Sequence, residues 1–320
     1  MESKTIKEFE VGSKIEGFFI IKTLDIKLSS NGNRYMDFSL GDRTGDITGK
    51  LWECTEEDME RFKGGMLIKV RAVVSEWQGN LQLKIDRIRA TMPDDNVNPS
   101  EFVPVAPYDP ELMFNIILHF IEVIRNKDIK NITSMIINDN KKSLSFYPAA
   151  KSNHHSIRSG LLYHITTMLK LAEKIVEVYP YLNSDLLYAG VILHDIAKLY
   201  EMDATELGIV TDYTVEGQLL GHIIQGINMV EKASEKVGAD KEVTMLLEHM
   251  ILSHHYEAEF GSPKKPMLPE GEILHHLDMM DARMFDMRKA MENTEEGLFT
   301  DRIRSMDGRK VYKTSIKSEK

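Results

Sequence analysis

Histidine and aspartate residues are spread over the second half of this 320-residue chain in the order His, His-Asp, His, His-His, Asp. The residues in this order are His164, His194, Asp195, His222, His254, His255 and Asp278. Imidazole and carboxylate groups together suit divalent transition ions, and a carboxylate shared by two ions is typical of two-metal phosphoesterase sites. The pattern therefore predicts a metal centre suited to the chemistry of phosphate esters.

The segments that carry these residues all have apolar residues at helical period. They lie at about 155–178, 184–200, 216–236, 240–256 and 270–292. Helical bundles build metal sites by projecting ligands inward from several helices. His194 and Asp195 directly follow an apolar run, so the pair is expected at the inner end of a buried helix. A buried aspartate beside a histidine is costly without a cation or strong partners, which favours a metal ligand over a simple helix cap.

The ligand order and the local sequence His194-Asp195-Ile196-Ala197-Lys198 resemble the HD superfamily of metal-dependent phosphohydrolases. The resemblance implies that His164, His194, Asp195 and Asp278 hold one ion. It implies a second ion at His222, His254 and His255, with Asp195 as the bridging carboxylate. His255 is the weakest of these candidates. It could instead contact the phosphate, or support a ligand without binding the ion itself.

Two further residues near the ligands have competing interpretations. Asp281 competes with Asp278 for the last ligand position; Asp278 is preferred because Ala282 follows it by four residues, as in the superfamily. Lys198 lies one turn after His194, and its expected role is a charged contact to the scissile phosphate. The alternative for Lys198 is a solvated lysine at a helix end. Asp195 and Lys198 are thus the predicted catalytic residues.

The first part of the chain has a different pattern, which predicts five β-strands in residues 14–90 with a short helix near 55–62 between the third and fourth. This is the order of an OB-fold barrel, which binds oligonucleotides on the face of its second and third strands. Tyr35, Trp52 and Trp77 are the candidates for stacking on bases, and Arg34 and Lys50 for following the backbone. For each aromatic the alternative is a place in the barrel core.

The composition is ordinary for a globular protein, with 42% hydrophobic and 28% charged residues. The net charge of −10 is uneven: residues 1–92 hold 15 basic and 15 acidic residues, whereas the remainder holds 25 and 35. Nucleic-acid binding is not excluded, because it depends on local patches of charge. A single cysteine, Cys54, excludes an internal disulfide and, with no apolar run of membrane-spanning length, favours a cytoplasmic protein without membrane contact.

These patterns predict a multidomain protein, with an all-β OB-fold barrel followed by an all-α HD helical bundle. The predicted boundaries are 1–92 for the barrel, 93–110 for a proline-rich linker, 111–300 for the bundle and 301–320 for a basic tail. The tail is either disordered or in contact with a phosphate backbone, and composition alone favours disorder.

An OB module followed by an HD module resembles the YhaM-type 3′–5′ exoribonucleases of bacteria, over about residues 14–290. The residues that carry the resemblance are Asp42–Ile47, Lys50–Trp52, Gly64–Met66, Phe102–Pro104, Gly160–His164, Val191–Lys198, Gly217–His222 and Ser253–His255. The resemblance implies Mn²⁺- or Co²⁺-dependent trimming of single-stranded RNA from the 3′ end, with single-stranded DNA as a second candidate substrate and with two ions per site. A homo-oligomer would add avidity for the strand.

Two other functions are open at this point. One is hydrolysis of small or cyclic nucleotides, with the OB module as a regulatory sensor. The other is a non-catalytic single-strand-binding protein with a structural metal, which the complete ligand set disfavours.

Overall fold

The computed structural model describes residues 4–29, 31–151, 155–292 and 294–317. The chain forms two compact units. The first contains residues up to Val105 together with Ala204–Asp212, and the second contains Ala106–Asp203 and the residues from Tyr213 onward. The residues predicted to form a linker, 93–110, are therefore divided between the two units.

The first unit is a closed five-stranded barrel. Its elements are β1 (Lys14–Leu28), β2 (Arg34–Asp42), β3 (Gly45–Leu51), α1 (Glu56–Arg61), β4 (Leu67–Trp77) and β5 (Asn80–Ala90). The strand order is β1-β2-β3-β5-β4, and β1 pairs with both β2 and β4. Among the described strand pairs of the barrel, β3 with β5 is parallel and the others are antiparallel. This confirms the predicted OB-fold barrel, including the helix between the third and fourth strands.

The alternation of side chains along the strands fills the barrel. Met36, Phe38 and Leu40 on β2 are all buried, and the intervening residues face outward. Gly49 on β3 leaves room for this core, because a Cβ atom there would come within 3.0 Å of Ile85 and 3.1 Å of Leu40. The outward-facing residues of β2 and β3 are therefore free to form a surface for ligands.

The second unit is helical. Its elements are α2 (Pro110–Val123), α3 (Lys127–Leu144), α4 (Gly160–Val178), α5 (Ser184–Leu193), α6 (Lys198–Glu201), α7 (Val215–Val237), α8 (Lys241–Ser253) and α9 (Pro269–Glu292). Between α6 and α7 the chain forms two short strands, β6 (Met202–Ala204) and β7 (Val210–Tyr213), which overlap the stretch Ala204–Asp212 of the first unit. The predicted helical bundle is confirmed, and no described helix is long and apolar enough to cross a membrane.

Helix α5 is the centre of this bundle. Every residue from Leu186 to Leu193 is buried, and α5 packs against α3, α4, α8 and α9. An all-round apolar helix of this kind belongs in the core. The residues at its C-terminal end are therefore held in the interior, where the neighbouring helices converge.

The segment after α9 contains bridges between Phe299 and Tyr312 and between Ile303 and Arg309. The Lys313 ammonium donates to the carbonyl oxygens of Met291, at 2.9 Å, and of Thr294, at 2.7 Å. These bonds satisfy carbonyl groups at the end of α9, as basic residues commonly do at helix C-termini. Much of the segment predicted as a tail is thus attached to α9, and its last three residues lie outside the described part of the chain.

Candidate metal centre

His194 and Asp195 lie directly after α5, where the buried helix ends. His194 caps the helix with its backbone, and Asp195 is in the turn that leads into α6. The Nδ1 atom of His194 donates to the carbonyl oxygen of Val191 at 2.9 Å. Because Nδ1 carries the hydrogen in that bond, the lone pair of a neutral ring is on Nε2 and points into the cluster.

Four side chains form a first group of ligand atoms, which we call the first locus. The Nε2 atom of His164, on α4, lies 3.3 Å from Nε2 of His194 and 3.3 Å from Oδ1 of Asp278 on α9. Oδ2 of Asp195 lies 3.5 Å from the same His194 nitrogen. Two helices, α4 and α9, and the segment directly after α5 thus bring the four residues together.

Asp281 lies on the opposite side of His164 from the first locus. Its Oδ2 atom is 2.7 Å from Nδ1 of His164 and 2.7 Å from Nε2 of His155. Asp278 instead faces the Nε2 side of His164, where the other ligand atoms are. The geometry therefore favours Asp278 as the ligand and gives Asp281 a supporting place behind it.

The other carboxylate oxygen of Asp195 faces a second group of histidines, which we call the second locus. Asp195 Oδ1 lies 3.3 Å from Nε2 of His222 and 3.7 Å from Nε2 of His254. His255 contributes a ring nitrogen to the same group, whose atoms all lie within 4.8 Å of one another. Asp195 is therefore the one residue shared by the two loci.

The histidines of the second locus are each held through Nδ1. His254 donates to the carbonyl oxygen of Ile251 at 2.7 Å, and His255 to that of Phe260 at 2.5 Å. These carbonyl acceptors fix the tautomer that leaves Nε2 available as a ligand atom.

His222 is oriented by a break in α7 and by a carboxylate. Gly221 has φ 68° and ψ 170°, a conformation that is essentially restricted to glycine, and the helix resumes at His222. Glu201 Oε1 then accepts from both the backbone N–H and Nδ1 of His222, each at 3.1 Å. Together the kink and the carboxylate direct Nε2 of His222 toward Asp195.

The cluster fits divalent cations. Within the described residues, Asp195 Oδ1, His222 Nε2 and His254 Nε2 are buried and have no hydrogen-bond partner. A buried polar atom without a partner costs about 1–3 kcal/mol, a cost that a coordinated ion removes. At the first locus, the Nδ1 atoms of His164 and His194 are each hydrogen-bonded to an oxygen. If both rings are neutral, the lone pairs of their Nε2 atoms therefore face each other across 3.3 Å. A cation relieves that repulsion as well.

The carboxylates of the cluster are held in their charged form. Burial alone raises the pKa of Asp195, but Lys198, His194, His222 and His254 outweigh it and hold that pKa well below its usual range. Burial also opposes ionisation of Asp278, and the hydrogen bond from His164 holds its pKa far below the ordinary value. The cluster is therefore anionic enough to attract a multivalent cation.

The histidines divide into two kinds. Burial lowers the pKa of His194, His254 and His255, so these rings are neutral near pH 7, as ligation requires. Burial also lowers the pKa of His164, but the hydrogen bonds with Asp278 and Asp281 outweigh it and raise that pKa to about 10. Position 164 is thus the point at which the carboxylates most strongly stabilise positive charge.

Lys198 is directed at the shared carboxylate. Its ammonium lies 2.7 Å from Oδ2 of Asp195, and only 12% of its side chain is exposed. Burial lowers the pKa of Lys198, but Asp195 more than compensates and raises it. Lys198 is therefore a charged residue of the cluster rather than a solvated lysine.

Comparison with known proteins places this geometry in a family. Residues 161–283 match the model of the HD domain, and residues 20–90 match that of the OB-fold nucleic acid binding domain. The chain is 40% identical over 314 residues to the "3′-5′ exoribonuclease YhaM" of Halalkalibacterium halodurans, covering 98% of this chain and 97% of the relative. The chain belongs to the YhaM family of exoribonucleases. Its relative of the same name from a Geobacillus species is 40% identical over 316 residues, covering 99% and 97%.

The OB barrel of this YhaM family member carries an aromatic surface at one end of β2 and β3. The rings of Tyr35 and Trp52 are stacked, with centroids 4.5 Å apart and planes 28° apart. The Lys50 ammonium lies 5.8 Å and 5.7 Å from the two ring centroids. Arg34 is exposed beside Tyr35, and Trp52 is 44% exposed. Four of the five predicted nucleic-acid contacts therefore lie together.

Trp77 lies at the other end of the barrel. It is 62% exposed and pairs with Asn80 at the hairpin between β4 and β5. Asn80 lies two residues before Gln82 in β5, and Gln82 pairs with Thr48 of the parallel strand β3. Trp52 lies four residues after Thr48. About six residues of strand, or roughly 20 Å, therefore separate the two tryptophans.

Sequence reasoning missed the supporting residues of the metal centre in this YhaM relative. These residues are His155, Glu201 and Gly221, and the roles of His155 and Glu201 follow only from contacts between distant segments. For Gly221 a signal was present, because a glycine directly before a predicted ligand inside a helical pattern suggests a local break. For Glu201 there was none, since it lies 21 residues from the histidine it contacts.

Proposed function

We propose that this protein is a divalent-metal-dependent 3′–5′ exoribonuclease that hydrolyses the terminal phosphodiester of single-stranded RNA. The observation that carries the proposal is the placement of Asp195. Its two carboxylate oxygens face different sets of ligand atoms, as a carboxylate shared by two ions requires. The exoribonuclease names of the two relatives, each covered almost completely, support RNA as the substrate.

In this proposal His164, His194, Asp195 and Asp278 hold one ion, and Asp195, His222, His254 and His255 hold the other. Histidine nitrogens with carboxylates suit Mn²⁺ and Co²⁺, and we propose Mn²⁺ as the resident metal with Co²⁺ as a substitute. When bound, such ions supply an activated water and Lewis-acid stabilisation of the phosphate. A buried, preorganised ligand set of this kind needs little rearrangement to accept them.

Lys198 has two roles in the proposed reaction. Its ammonium balances the charge of Asp195, which keeps the shared carboxylate ionised in the interior. The ammonium also has donors beyond the one directed at Asp195, and these can stabilise negative charge on a phosphate oxygen. Asp195 and Lys198 thus act as a pair, with the carboxylate positioning the lysine.

The OB barrel holds the strand. Tyr35 and Trp52 supply ring surface for stacking on bases, and Lys50 and Arg34 supply charge for the backbone. Trp77 is a separate contact for a longer strand. Because stacking and backbone charge do not read the sugar, we propose that single-stranded DNA also binds at this surface.

Hydrolysis of an RNA labelled at its 5′ end tests the proposal. With Mn²⁺ present we expect a ladder that shortens from the 3′ end, and no ladder with chelator or with the Asp195→Asn protein. Asp139→Asn, an exposed aspartate on α3, is the matched control and should cut normally. If the RNA stays intact while a cyclic dinucleotide is hydrolysed, the proposed substrate is wrong.

Two further properties belong to the proposal. A homo-oligomer would give a barrel of neutral net charge several contacts with one strand, and light scattering of the purified protein would measure its mass. The lone Cys54 and the RNA substrate support the cytoplasm as the compartment.

A further inference from the structure

Four side chains of the helical unit form an aromatic and cationic strip: Tyr108, Tyr163, Lys170 and Arg288. The rings of Tyr108 and Tyr163 lie 5.9 Å apart. The Lys170 ammonium is 5.3 Å from the Tyr108 ring, and the Arg288 guanidinium is 5.9 Å from the Tyr163 ring. Arg288 also donates to the Tyr163 hydroxyl at 3.2 Å. Each ring therefore has a cation beside it.

The strip is open to solvent. The Tyr108 side chain is 49% exposed, and Lys170 and Arg288 are both exposed. The nearest acid contact of Arg288 is Glu292, 3.9 Å away and itself 64% exposed, so that pair is weak and easily exchanged. The rest of this part of the chain is acidic, with 35 acidic and 25 basic residues after position 92. Two exposed cations thus lie beside the exposed Tyr108 ring and the half-buried Tyr163 ring, in a part of the chain whose net charge is negative.

One ring of the strip, that of Tyr163, lies beside the residues that support the metal centre. Tyr163 directly precedes the proposed ligand His164, and its ring lies 5.2 Å from the ring of His155, which contacts Asp281. Arg288, which donates to the Tyr163 hydroxyl, lies ten residues after Asp278 on α9, or about 15 Å along the helix axis. The strip therefore lies on the outer side of the residues that support His164.

We propose that this strip is a second binding surface for single-stranded RNA, on the helical unit, which holds the nucleotides that precede the 3′-terminal one. The inference rests on the proposed exoribonuclease function and adds the path of the strand near the site. The base of one nucleotide stacks on the open part of the Tyr108 ring, and Lys170 and Arg288 contact the flanking phosphates. Aromatic rings interleaved with cations are the usual composition of such surfaces.

The choice of RNA over an acidic protein follows from the types of residue. Arginine presents a planar fork of donors that matches a phosphate, and tyrosine offers a ring that accepts any base. Contacts of this kind are tolerant of sequence, as an enzyme that removes successive nucleotides from one end needs.

Binding to a fluorescent oligouridylate, measured by anisotropy with chelator present to prevent hydrolysis, tests the strip directly. We expect Tyr108→Ala to raise the Kd by about fivefold or more, because one stacked base is lost, whereas Tyr108→Phe keeps most of the affinity. Arg288→Gln should raise the Kd. It should also reduce the slope of log Kd against log salt concentration by about one. Lys232→Gln, an exposed lysine on the remote helix α7, is the control for loss of charge and should leave both unchanged.

Hydrolysis of bis(p-nitrophenyl) phosphate separates this inference from the proposed function. This phosphodiester has no preceding nucleotide to place on the strip, so the Tyr108→Ala and Arg288→Gln proteins should cut it at the wild-type rate while kcat/KM on long RNA falls. Wild-type Kd values in both variants would overturn the strip while leaving the exoribonuclease intact. Failure of the wild-type protein to cut RNA would instead refute the proposed function. Loss of bis(p-nitrophenyl) phosphate cutting in both variants would show that these residues support the metal centre, and would equally overturn the strip.

Discussion

Asp281 and His164 are joined by a 2.7 Å hydrogen bond between Oδ2 and Nδ1, on the side of the ring that faces away from the metal centre. A carboxylate in this position fixes the tautomer of a ligand histidine and raises its basicity. Glu201 makes the corresponding bond to Nδ1 of His222, whereas carbonyl oxygens hold His194, His254 and His255. Each proposed ion therefore has one histidine supported by a carboxylate.

Replacing Asp281 with asparagine should weaken metal binding without removing a ligand. We expect the affinity for Mn²⁺ to fall by about 10- to 100-fold, because the carboxamide lowers the basicity of His164. Titration calorimetry on the metal-free protein measures this, with Asp139→Asn as the exposed control. An unchanged affinity would show that His164 needs no carboxylate behind it.

Gly221→Ala should displace His222. The alanine has space, since the nearest atom to its Cβ would be Glu201 Oε1 at 3.8 Å, but the backbone conformation is strained for any residue with a side chain. We expect a loss of about 1–3 kcal/mol in stability and a shifted His222 that binds the second ion more weakly.

The matched control for Gly221 is Gly238→Ala, because Gly238 ends the same helix with φ 66° and open space around it. That variant should lose stability and keep its full metal content, measured by thermal unfolding and by elemental analysis. Equal metal content in the two variants would contradict a role for the kink.

Trp52→Ala and Trp77→Ala should differ in their effect on RNA binding. Trp52 is stacked with Tyr35 next to Lys50, so its loss removes part of a composite surface and should raise the Kd by about fivefold or more. Trp77 is isolated at the far end of the barrel and should matter only for long strands. Anisotropy with short and long oligouridylates compares them; equal losses on a short strand would contradict this arrangement.

Glu248 on α8 should make stability depend on pH. Burial and the neighbouring Glu231 on α7 raise the pKa of Glu248 from 4.5 to about 7. The folded protein therefore binds more protons than the unfolded chain between these values, and stability falls as pH rises from about 4.5 to about 7. Glu248→Gln should remove this loss of stability. We expect the free energy of unfolding at high pH to rise by less than about 1 kcal/mol, because the pair is partly solvated.

Thermal unfolding of the Glu248→Gln protein should thus show a raised Tm at pH 8 and little change at pH 5. Glu235→Gln, an exposed glutamate on α7, should change the Tm equally at both pH values. A Glu248→Gln shift that is the same at both would contradict the raised pKa.

Much of the architecture follows from local pattern. Alternation at Met36, Phe38 and Leu40 places β2 in a barrel, and the apolar run before His194 places that residue at a buried helix end. The residues behind the ligands do not follow from pattern, because Glu201 and Asp281 act through contacts with distant parts of the chain. The sequence offered Asp278 and Asp281 as competing ligands, and only three-dimensional geometry shows that they face opposite sides of one ring.

The barrel unit is built from two separated stretches of chain, since Ala204–Asp212 belongs to it. Within that unit, Ile209 packs in an apolar cluster with Ile20, Leu67 and Val103. During synthesis the first 105 residues leave the ribosome about a hundred residues before Ile209 does. This cluster is therefore incomplete until Ile209 has emerged. A fragment that ends at residue 105 would expose the same apolar surface permanently. The five strands and their inner core lie within the first 90 residues and can form early, so late synthesis completes only the outer apolar cluster of the barrel unit.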